Sequence, residues 1–455
     1  MSAALAAAAA RALEPRLARA HAAAAPRRSG RVSAVVGLGV EVDGLGAALG
    51  ETVHLEVASA ARPDVVDVVE AEVVAAHGTR LSCTPLRGTA GLAVGATARA
   101  TGARARVPLG PGLLGRVIDP TGRALDGGPA PLVQSWGDVE ASAPSPLVRG
   151  RITTRLPLGV RVLDAFTPVG RGQRIGVFAG SGVGKSSLLS MITRNNEATV
   201  TVVALVGERG REVRQFVEDD LGPEGLARSV VVVATSDDPP LLRLRAAFSA
   251  TRIAEGFAAA GHDVVLLMDS LTRVAQAQRE VALSAGEPPA TRGFPPSVFA
   301  MMPRLLERAG PLPVGSITGV YTVLVDGDDH NEPVADNVRA VLDGHVVLDR
   351  AIATAGRFPS VDVLGSVSRL DRQVTSSREL AAAARVRQLL AAHRDARDLV
   401  EVGAYVPGTN PDVDAALRLQ RPIEDFCRQG LAEPAPLGLT QQGLQALADA
   451  ARVAP

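Results

Sequence analysis

Residues 179–186 read Ala-Gly-Ser-Gly-Val-Gly-Lys-Ser, and this stretch decides the fold that the sequence predicts. It follows an apolar run at 174–179 and precedes a helical pattern that begins near Ser186. A glycine-rich turn between a strand and a helix lets backbone N–H groups face phosphates, and the helix N-terminus adds a favourable dipole. Lys185 would reach the β- and γ-phosphate oxygens, and the Ser186 hydroxyl would bind Mg²⁺. The candidate nucleotide-contacting residues here are Ala179, Gly180, Ser181, Gly182, Val183, Gly184, Lys185, Ser186 and Ser187.

The basic composition supports this interpretation of the loop. Of 48 lysine and arginine residues, Lys185 is the single lysine. A compact ammonium fits between phosphate groups, whereas a planar guanidinium would not replace it well. The one position that has kept lysine is therefore the one where phosphate binding requires it.

Two further carboxylates follow apolar runs of the kind that form buried parallel strands. Asp269 ends the run at 264–269, and at the carboxyl edge of a parallel sheet it could hold the Mg²⁺ shell. Ser270 follows it, so the Asp-Glu pair found in many ring ATPases is absent. Glu208 follows the run at 201–206 and is the candidate base for the attacking water, with Arg209 beside it as a second phosphate-facing cation.

Composition limits the class of protein. The chain has 455 residues, 46% apolar and 21% charged, with a formal net charge of zero. This length predicts two to four domains of a globular protein, and the charge balance gives no support to nucleic-acid binding. Two distant cysteines, Cys83 and Cys427, fit a reducing compartment. We expect neither a secretory signal nor a transmembrane helix.

Hydrophobic patterning divides the chain into four segments. Residues 1–26 are alanine-rich and predict a helical or flexible segment, either a frayed tail or a helix that folds onto a partner. Residues 27–100 contain short strands at 32–36, 51–57, 65–74 and 80–86 and predict a small β-barrel. Residues 101–375 predict an α/β core with a parallel sheet, which with the glycine-rich loop resembles the RecA-like P-loop type, and residues 376–455 predict a helical domain. The barrel segment contains no aromatic residue, which argues against an RNA translocase that stacks bases.

Together these motifs resemble the catalytic core of the rotary ATP synthases. A narrower resemblance links the chain to the type III protein-export ATPases, and within that family to the flagellum-specific members. It covers roughly residues 27–430 and is most specific over 155–370. The stretches that carry it lie at 112–119, 207–212, 269–273, 286–297, 315–329, 342–345, 365–370 and 403–414.

The resemblance also implies roles for three residues outside the loop. Phe358, where the family usually has tyrosine, would pack on the adenine ring, and Arg273 would contact the nucleotide. Arg369 would reach the γ-phosphate bound by a neighbouring subunit. Glu208 and Arg369 share one chain, so identical subunits could complete each other's sites, and the expected assembly is a homohexamer. Gly319 replaces a more usual alanine, for which we expect little consequence.

The family further implies an ATPase that uses ATP and Mg²⁺ to energise protein export. Its expected partners are a stator-like regulatory subunit at the N-terminus, a central stalk-like subunit, the export gate and chaperone–substrate complexes. The expected location is the cytoplasm, at the periphery of the inner membrane beside the export apparatus. Three alternatives stay open: a non-flagellar injectisome ATPase, a nucleotide-binding subunit that does not hydrolyse ATP, and a subunit of a proton-driven rotary synthase.

Overall fold

The computed structural model describes Leu13 and residues 28–58, 66–325 and 332–452. The chain divides into two compact units, at residues 1–104 and 105–455. The predicted partner-binding segment at 1–26 lies outside the described residues apart from Leu13, as do positions 326–329 of the motif at 315–329. These features, and the boundaries of the four predicted domains, stay predictions.

The first unit contains a closed antiparallel barrel in the strand order β1-β2-β5-β4-β3-β6. Every second side chain of β3, including Val53 and Leu55, is buried, since one face of each strand lines the barrel core. The predicted barrel is therefore confirmed. The sequence pattern misses β2 and β6, because the glycines around β2 are typical of a turn. The strands are β1 (Ser29–Val36), β2 (Gly39–Asp43), β3 (Glu51–Ala58), β4 (Val66–His77), β5 (Arg80–Pro85) and β6 (Thr97–Arg104).

The second unit is built on a nine-stranded sheet in the order β19-β18-β12-β17-β15-β13-β14-β8, with β16 paired to β17. All neighbours are parallel except β19 against β18 and β16 against β17. The strands are β8 (Arg116–Ile118), β12 (Arg174–Ala179), β13 (Val200–Glu208), β14 (Ser229–Thr235), β15 (Asp263–Asp269), β16 (Gly310–Pro311), β17 (Ser316–Leu324), β18 (Gly344–Leu348) and β19 (Val361–Ser368). Two short ribbons pair β7 (Arg106–Leu109) with β9 (Ser135–Asp138) and β10 (Arg155–Leu156) with β11 (Val169–Gly170).

Helices cover both faces of this sheet and bury its valine- and leucine-rich strands in two separate cores. The helices are α1 (Arg161–Phe166), α2 (Lys185–Asn195), α3 (Gly210–Gln215), α4 (Gly222–Ala227), α5 (Pro240–Ala259), α6 (Leu271–Ser284), α7 (Pro296–Leu306), α8 (Pro333–Val341), α9 (Arg350–Thr354), α10 (Asp371–Val374), α11 (Ser377–Glu401), α12 (Pro411–Cys427) and α13 (Leu437–Ala450). A π-helical segment, Phe216–Leu221, joins α3 to α4, and 3₁₀ turns lie at Pro111–Leu113 and Thr291–Gly293.

Side-chain caps explain where the long C-terminal helices begin. The Ser376 side chain accepts the N–H of Glu379, whose carboxylate accepts the N–H of Ser376, and this capping box starts α11. The Asn410 side chain accepts two backbone N–H groups at the start of α12. Among the described residues no helix combines the length and apolar character needed to cross a bilayer.

The expectation that Gly319 has little consequence stays a prediction, and the packing around this glycine argues against it. A Cβ built at Gly319 would lie 2.3 Å from Cε2 of Tyr321, on the same face of β17. Tyr321 is fully buried and cannot swing into solvent. Glycine at position 319 therefore leaves the space that the Tyr321 ring occupies.

We predict that Gly319→Ala lowers the free energy of unfolding by about 1–3 kcal/mol, the usual cost of overpacking a core. The urea midpoint of the purified chain, followed by circular dichroism, measures it. Gly438→Ala is the matched control, because nothing lies within 4 Å of a Cβ built at that helical glycine. A Gly319→Ala midpoint equal to that of the control would contradict the proposed contact.

Candidate nucleotide-binding site

The glycine-rich loop joins the carboxyl end of β12 to α2, as the sequence predicts. Gly182 and Gly184 adopt φ angles of 75° and 93°, a left-handed conformation that favours glycine. A Cβ at Gly184 would also lie 3.2 Å from the ring of Phe358. The loop therefore has the backbone freedom and the helix N-terminus that a phosphate-binding turn needs.

The parallel register brings three predicted residues to one edge of the sheet. β12, β13 and β15 end at Ala179, Glu208 and Asp269, and the loop begins at that same edge. The Lys185 ammonium contacts Oδ1 of Asp269 and lies 3.4 Å from Oε1 of Glu208. The side chains of Lys185, Glu208 and Asp269 are only 13%, 18% and 6% exposed, in that order. This cluster of Lys185, Glu208 and Asp269 is the centre of the candidate site.

Burial and neighbouring charges together shift the pKa values of Glu208 and Lys185. Burial raises the pKa of the Glu208 carboxyl and the Asp269 carboxylate raises it further, while Lys185 opposes both. For Lys185, burial acts to lower the pKa, but attraction to Asp269 and Glu208 outweighs it, so the ammonium pKa lies above its ordinary value. Two carboxylates compete for one cation here, which leaves a site with affinity for further positive charge.

Thr322 is a residue that the sequence analysis did not single out. Its hydroxyl lies on the neighbouring strand β17 and donates to Oδ1 of Asp269 at 2.7 Å. This bond orients the carboxylate toward Lys185. Thr322 lies inside the motif at 315–329, but that motif alone does not indicate which of its residues meets Asp269.

The donor set fits Mg²⁺ bound together with a nucleotide. The Ser186 hydroxyl and the carboxylates of Glu208 and Asp269 line one small pocket, and all three offer the hard oxygen ligands that this cation prefers. Within the described ranges, no group of three or more His, Cys, Asp and Glu could hold a metal alone. Mg²⁺ is usually held by one or two carboxylates plus substrate phosphates, so an all-protein cage is not required.

We predict that Asp269→Asn keeps the fold and lowers Mg²⁺-dependent turnover by roughly 10²–10³-fold, as expected when one charge-stabilising group is removed. The shape of the side chain and the Thr322 bond can be kept, while the negative charge is lost. Phosphate release at saturating ATP and Mg²⁺ measures the effect, with Asp336→Asn, an exposed aspartate on α8, as control. Wild-type turnover in Asp269→Asn would mean that Asp269 is only a buried strand end.

Phe358 lies beside the loop, although 358 and 184 are far apart in sequence. It precedes β19 and is 42% exposed. Ser360, two residues on, donates its hydroxyl to the Val183 carbonyl. The Phe358 ring therefore flanks the loop from a segment that is hydrogen-bonded to the loop backbone.

Two of the predicted arginines are held by neighbouring side chains rather than by the cluster. Arg209 is 71% exposed, and its guanidinium lies 3.4 Å from Oε1 of Glu212. Arg273 packs its stem against Gly207 and donates from Nη1 to Gln276 at 3.2 Å. The predicted phosphate-facing role of Arg209 and nucleotide contact of Arg273 stay predictions.

Arg369 lies level with the amino ends of the parallel strands, whereas its own loop lies at their carboxyl ends. β19 runs antiparallel to β18, so Ser368 pairs with Gly344. Gly344 precedes His345, which pairs with Gly176 near the amino end of β12. Gly344 is therefore level with Ile175, and the four residues from there to Ala179 at the start of the loop span roughly 13 Å. The Arg369 guanidinium instead donates to the Arg339 carbonyl at 3.4 Å.

Two family models match the chain. The model described as "ATP synthase alpha/beta family, nucleotide-binding domain" matches residues 159–368. The model described as "T3SS EscN ATPase C-terminal domain" matches residues 375–446. The first match contains every member of the cluster, Phe358 and β19 up to Ser368.

Curated relatives are similar over nearly their whole length. The chain is 49% identical over 411 residues to the flagellum-specific ATP synthase of Bacillus subtilis, covering 90% of this chain and 93% of the relative. It is 45% identical over 403 residues to a type 3 secretion system ATPase of Xanthomonas euvesicatoria, covering 89% and 90%.

Solved structures give the same likeness. The assembled ATPase EscN from the type III secretion system of enteropathogenic E. coli is 39% identical with a TM-score of 0.87, covering 92% of this chain and 100% of that one. EscN in complex with its central stalk EscO gives a TM-score of 0.84 at the same identity and coverage.

Proposed function

The chain belongs to the type III protein-export ATPases of the ATP synthase alpha/beta family, and on this premise we propose that it hydrolyses ATP to energise flagellar protein export. It is an ATP-hydrolysing P-loop enzyme. The observation that carries the proposal is the contact of the single lysine with two carboxylates at the mouth of the phosphate-binding loop. The flagellum-specific ATP synthase of Bacillus subtilis is 49% identical over 90% of this chain, and the SPI-2 type 3 secretion system ATPase of Salmonella typhimurium is 48% identical over 80%, so the flagellar system is favoured by coverage rather than by identity.

The members of the cluster have separate roles in the proposed hydrolysis. The loop N–H groups and Lys185 bind the phosphates, which draws the ammonium away from Asp269. When bound, Mg²⁺ neutralises charge on the β- and γ-phosphate oxygens, and Ser186 and Asp269 are the residues that would hold it. Glu208 orients the attacking water and accepts its proton, for which a buried carboxylate with a raised pKa is suited. Arg209 and Arg273 would add positive charge and nucleotide contact.

The position of Arg369 supports a site shared between two copies of the chain. Arg369 lies at the sheet edge opposite its own loop, so it cannot meet the phosphates bound there. A second copy that presents this edge to the first loop would supply the guanidinium that stabilises transition-state charge. The similar EscN was solved as an assembled ATPase, which fits a closed ring. We assign this chain to a homohexamer with six like sites.

Further partners follow from the family. The similar EscN was solved with its central stalk EscO, so a stalk-like subunit is expected in the ring. The remaining expected partners are a stator-like subunit at residues 1–26, the export gate and chaperone–substrate complexes, at the cytoplasmic periphery of the inner membrane. Residues 27–100 contain no Phe, Tyr or Trp, so the barrel offers no aromatic side chain on which bases could stack.

Because the chain has one lysine, chemical labelling gives a direct test of nucleotide binding. An amine-reactive probe can modify only Lys185 and the α-amino group. At about ten times the nucleotide Kd, labelling of Lys185 should fall roughly tenfold, while the α-amino group serves as the internal control. Peptide mass spectrometry measures both sites. Equal labelling of Lys185 with and without Mg-ATP would contradict the loop's role.

Gene replacement in the source bacterium tests the export function. Deletion should abolish external filaments and swimming, and a plasmid carrying the wild-type chain should restore both. A Glu208→Gln plasmid should fail at equal protein level, because the fold is kept and turnover is lost. Normal swimming after deletion, combined with loss of secretion through an injectisome, would support the non-flagellar alternative.

A further inference from the structure

Gln429 is buried in the segment that follows α12, where regular structure has ended. Gln429 is only 3% exposed to solvent. A buried amide outside a helix or strand needs partners for both ends of its side chain. Gln429 has them, and they come from three different parts of the second unit.

The bonds of Gln429 determine the orientation of its amide. Oε1 accepts the backbone N–H of Arg161 at 2.7 Å. Nε2 donates to the carbonyls of Gly159 at 3.0 Å and Glu433 at 2.8 Å. The backbone N–H of Gln429 donates to the Phe358 carbonyl at 2.9 Å. Since both amide hydrogens meet carbonyl oxygens, a carboxylate of the same shape would face repulsion there.

These partners connect Gln429 to both ends of the loop helix α2. Phe358 and Ser360 contact the N-terminal end, through Gly184 and the Val183 carbonyl. Gly159 packs against the other end, where a Cβ would lie 2.3 Å from Cβ of Asn195. Gln429 therefore fixes the distance between the Phe358 segment and the helix that carries the loop.

Arg161 reinforces the same arrangement from its side chain. Its guanidinium donates to the Arg428 carbonyl at 2.9 Å and the Phe426 carbonyl at 3.3 Å, and it forms an ion pair with Glu433. The last turn of α12 and the segment after it are thereby attached to the start of α1. The position of Gln429 is fixed by α1 and does not depend on α12 alone.

From this arrangement we infer that Gln429 is a positioning residue for the base of the bound nucleotide. It holds the Phe358 segment at the correct separation from the loop, so that the ring can pack on the base while the phosphates occupy the loop. The inference rests on the proposed nucleotide site. Loss of the Gln429 hydrogen bonds should weaken binding of the base and leave binding of the phosphates unchanged.

The test compares a ligand with a base against a ligand without one. ADP and inorganic tripolyphosphate are measured as competitors of a fluorescent ATP analogue on the full chain with Mg²⁺. In Gln429→Glu the Kd of ADP should rise about tenfold, as expected for loss of buried hydrogen bonds, while that of tripolyphosphate stays within about twofold. Gln420→Glu, at an exposed glutamine on α12, should change neither.

A melting temperature recorded for each variant separates positioning from folding. If Gln429→Glu melts below the assay temperature, Gln429→Met, which keeps the length and loses the polar bonds, is judged by the same criterion. An unchanged Kd for ADP would overturn the inference, and so would equal weakening of both ligands. A wild-type chain that binds both ligands and hydrolyses no ATP would refute the proposed function alone.

Discussion

Arg369→Ala should bind ATP as tightly as the wild type and lose turnover by about 10³–10⁵-fold, the range typical of an arginine that acts on a neighbour's γ-phosphate. Binding is kept because Arg369 lies at the sheet edge opposite its own loop. Turnover falls because the transition state loses the guanidinium that the next copy supplies. Phosphate release and equilibrium nucleotide binding, measured on one preparation, separate the two effects.

The matched control for this variant is Arg372→Ala. Arg372 is exposed three residues further along, at the start of α10, and should be dispensable for turnover. Undiminished hydrolysis in Arg369→Ala would mean that each copy is self-sufficient. Equal losses in both variants would indicate a general effect of positive charge at this edge.

Glu208→Gln should retain ATP binding and lose turnover by about 10²–10⁴-fold, the usual contribution of a general base. The amide keeps the shape of the side chain but cannot accept the proton of the attacking water. The acid limb of wild-type kcat/KM should lie above the ordinary glutamate range, because the raised pKa of Glu208 means that the base is lost earlier as the pH falls. That limb should be absent from the residual activity of Glu208→Gln.

Glu212→Gln is the control that identifies the base. Glu212 lines the same pocket and lies beside Glu208, and its carboxylate meets Arg209. It should keep most of the turnover. A Glu212→Gln variant without activity, next to an active Glu208→Gln, would transfer the role of base to Glu212.

The centre of the site could be predicted from the sequence because each of its members lies at or shortly after the end of a buried strand. Glu208 and Asp269 end β13 and β15, Lys185 follows β12 across the glycine-rich loop, and parallel strands bring their carboxyl ends to one edge. The general fold followed from the same patterns. The partners of Asp269 on β17 could not be predicted, since the strand order is decided by tertiary packing.

The roles of residues that depend on contacts far apart in the chain could not be predicted from local sequence patterns. The place of Arg369 at the far edge follows from β19 running antiparallel, which no local signal indicates. Gln429 meets Gly159 across 270 residues and belongs to no motif. The cost of an alanine at Gly319 depends on the rotamer of Tyr321, which only the packed core determines.

The most direct test of the shared site is the specific ATPase activity of the wild-type chain over a wide range of protein concentration. Sedimentation velocity in the same buffer and nucleotide gives the fraction of assembled chains at each concentration. Activity per chain should follow the assembled fraction and approach zero where the chain is monomeric, because a monomer has Glu208 and Lys185 but lacks a neighbour's Arg369. A monomer that hydrolyses ATP at the rate of the assembled protein would contradict the account.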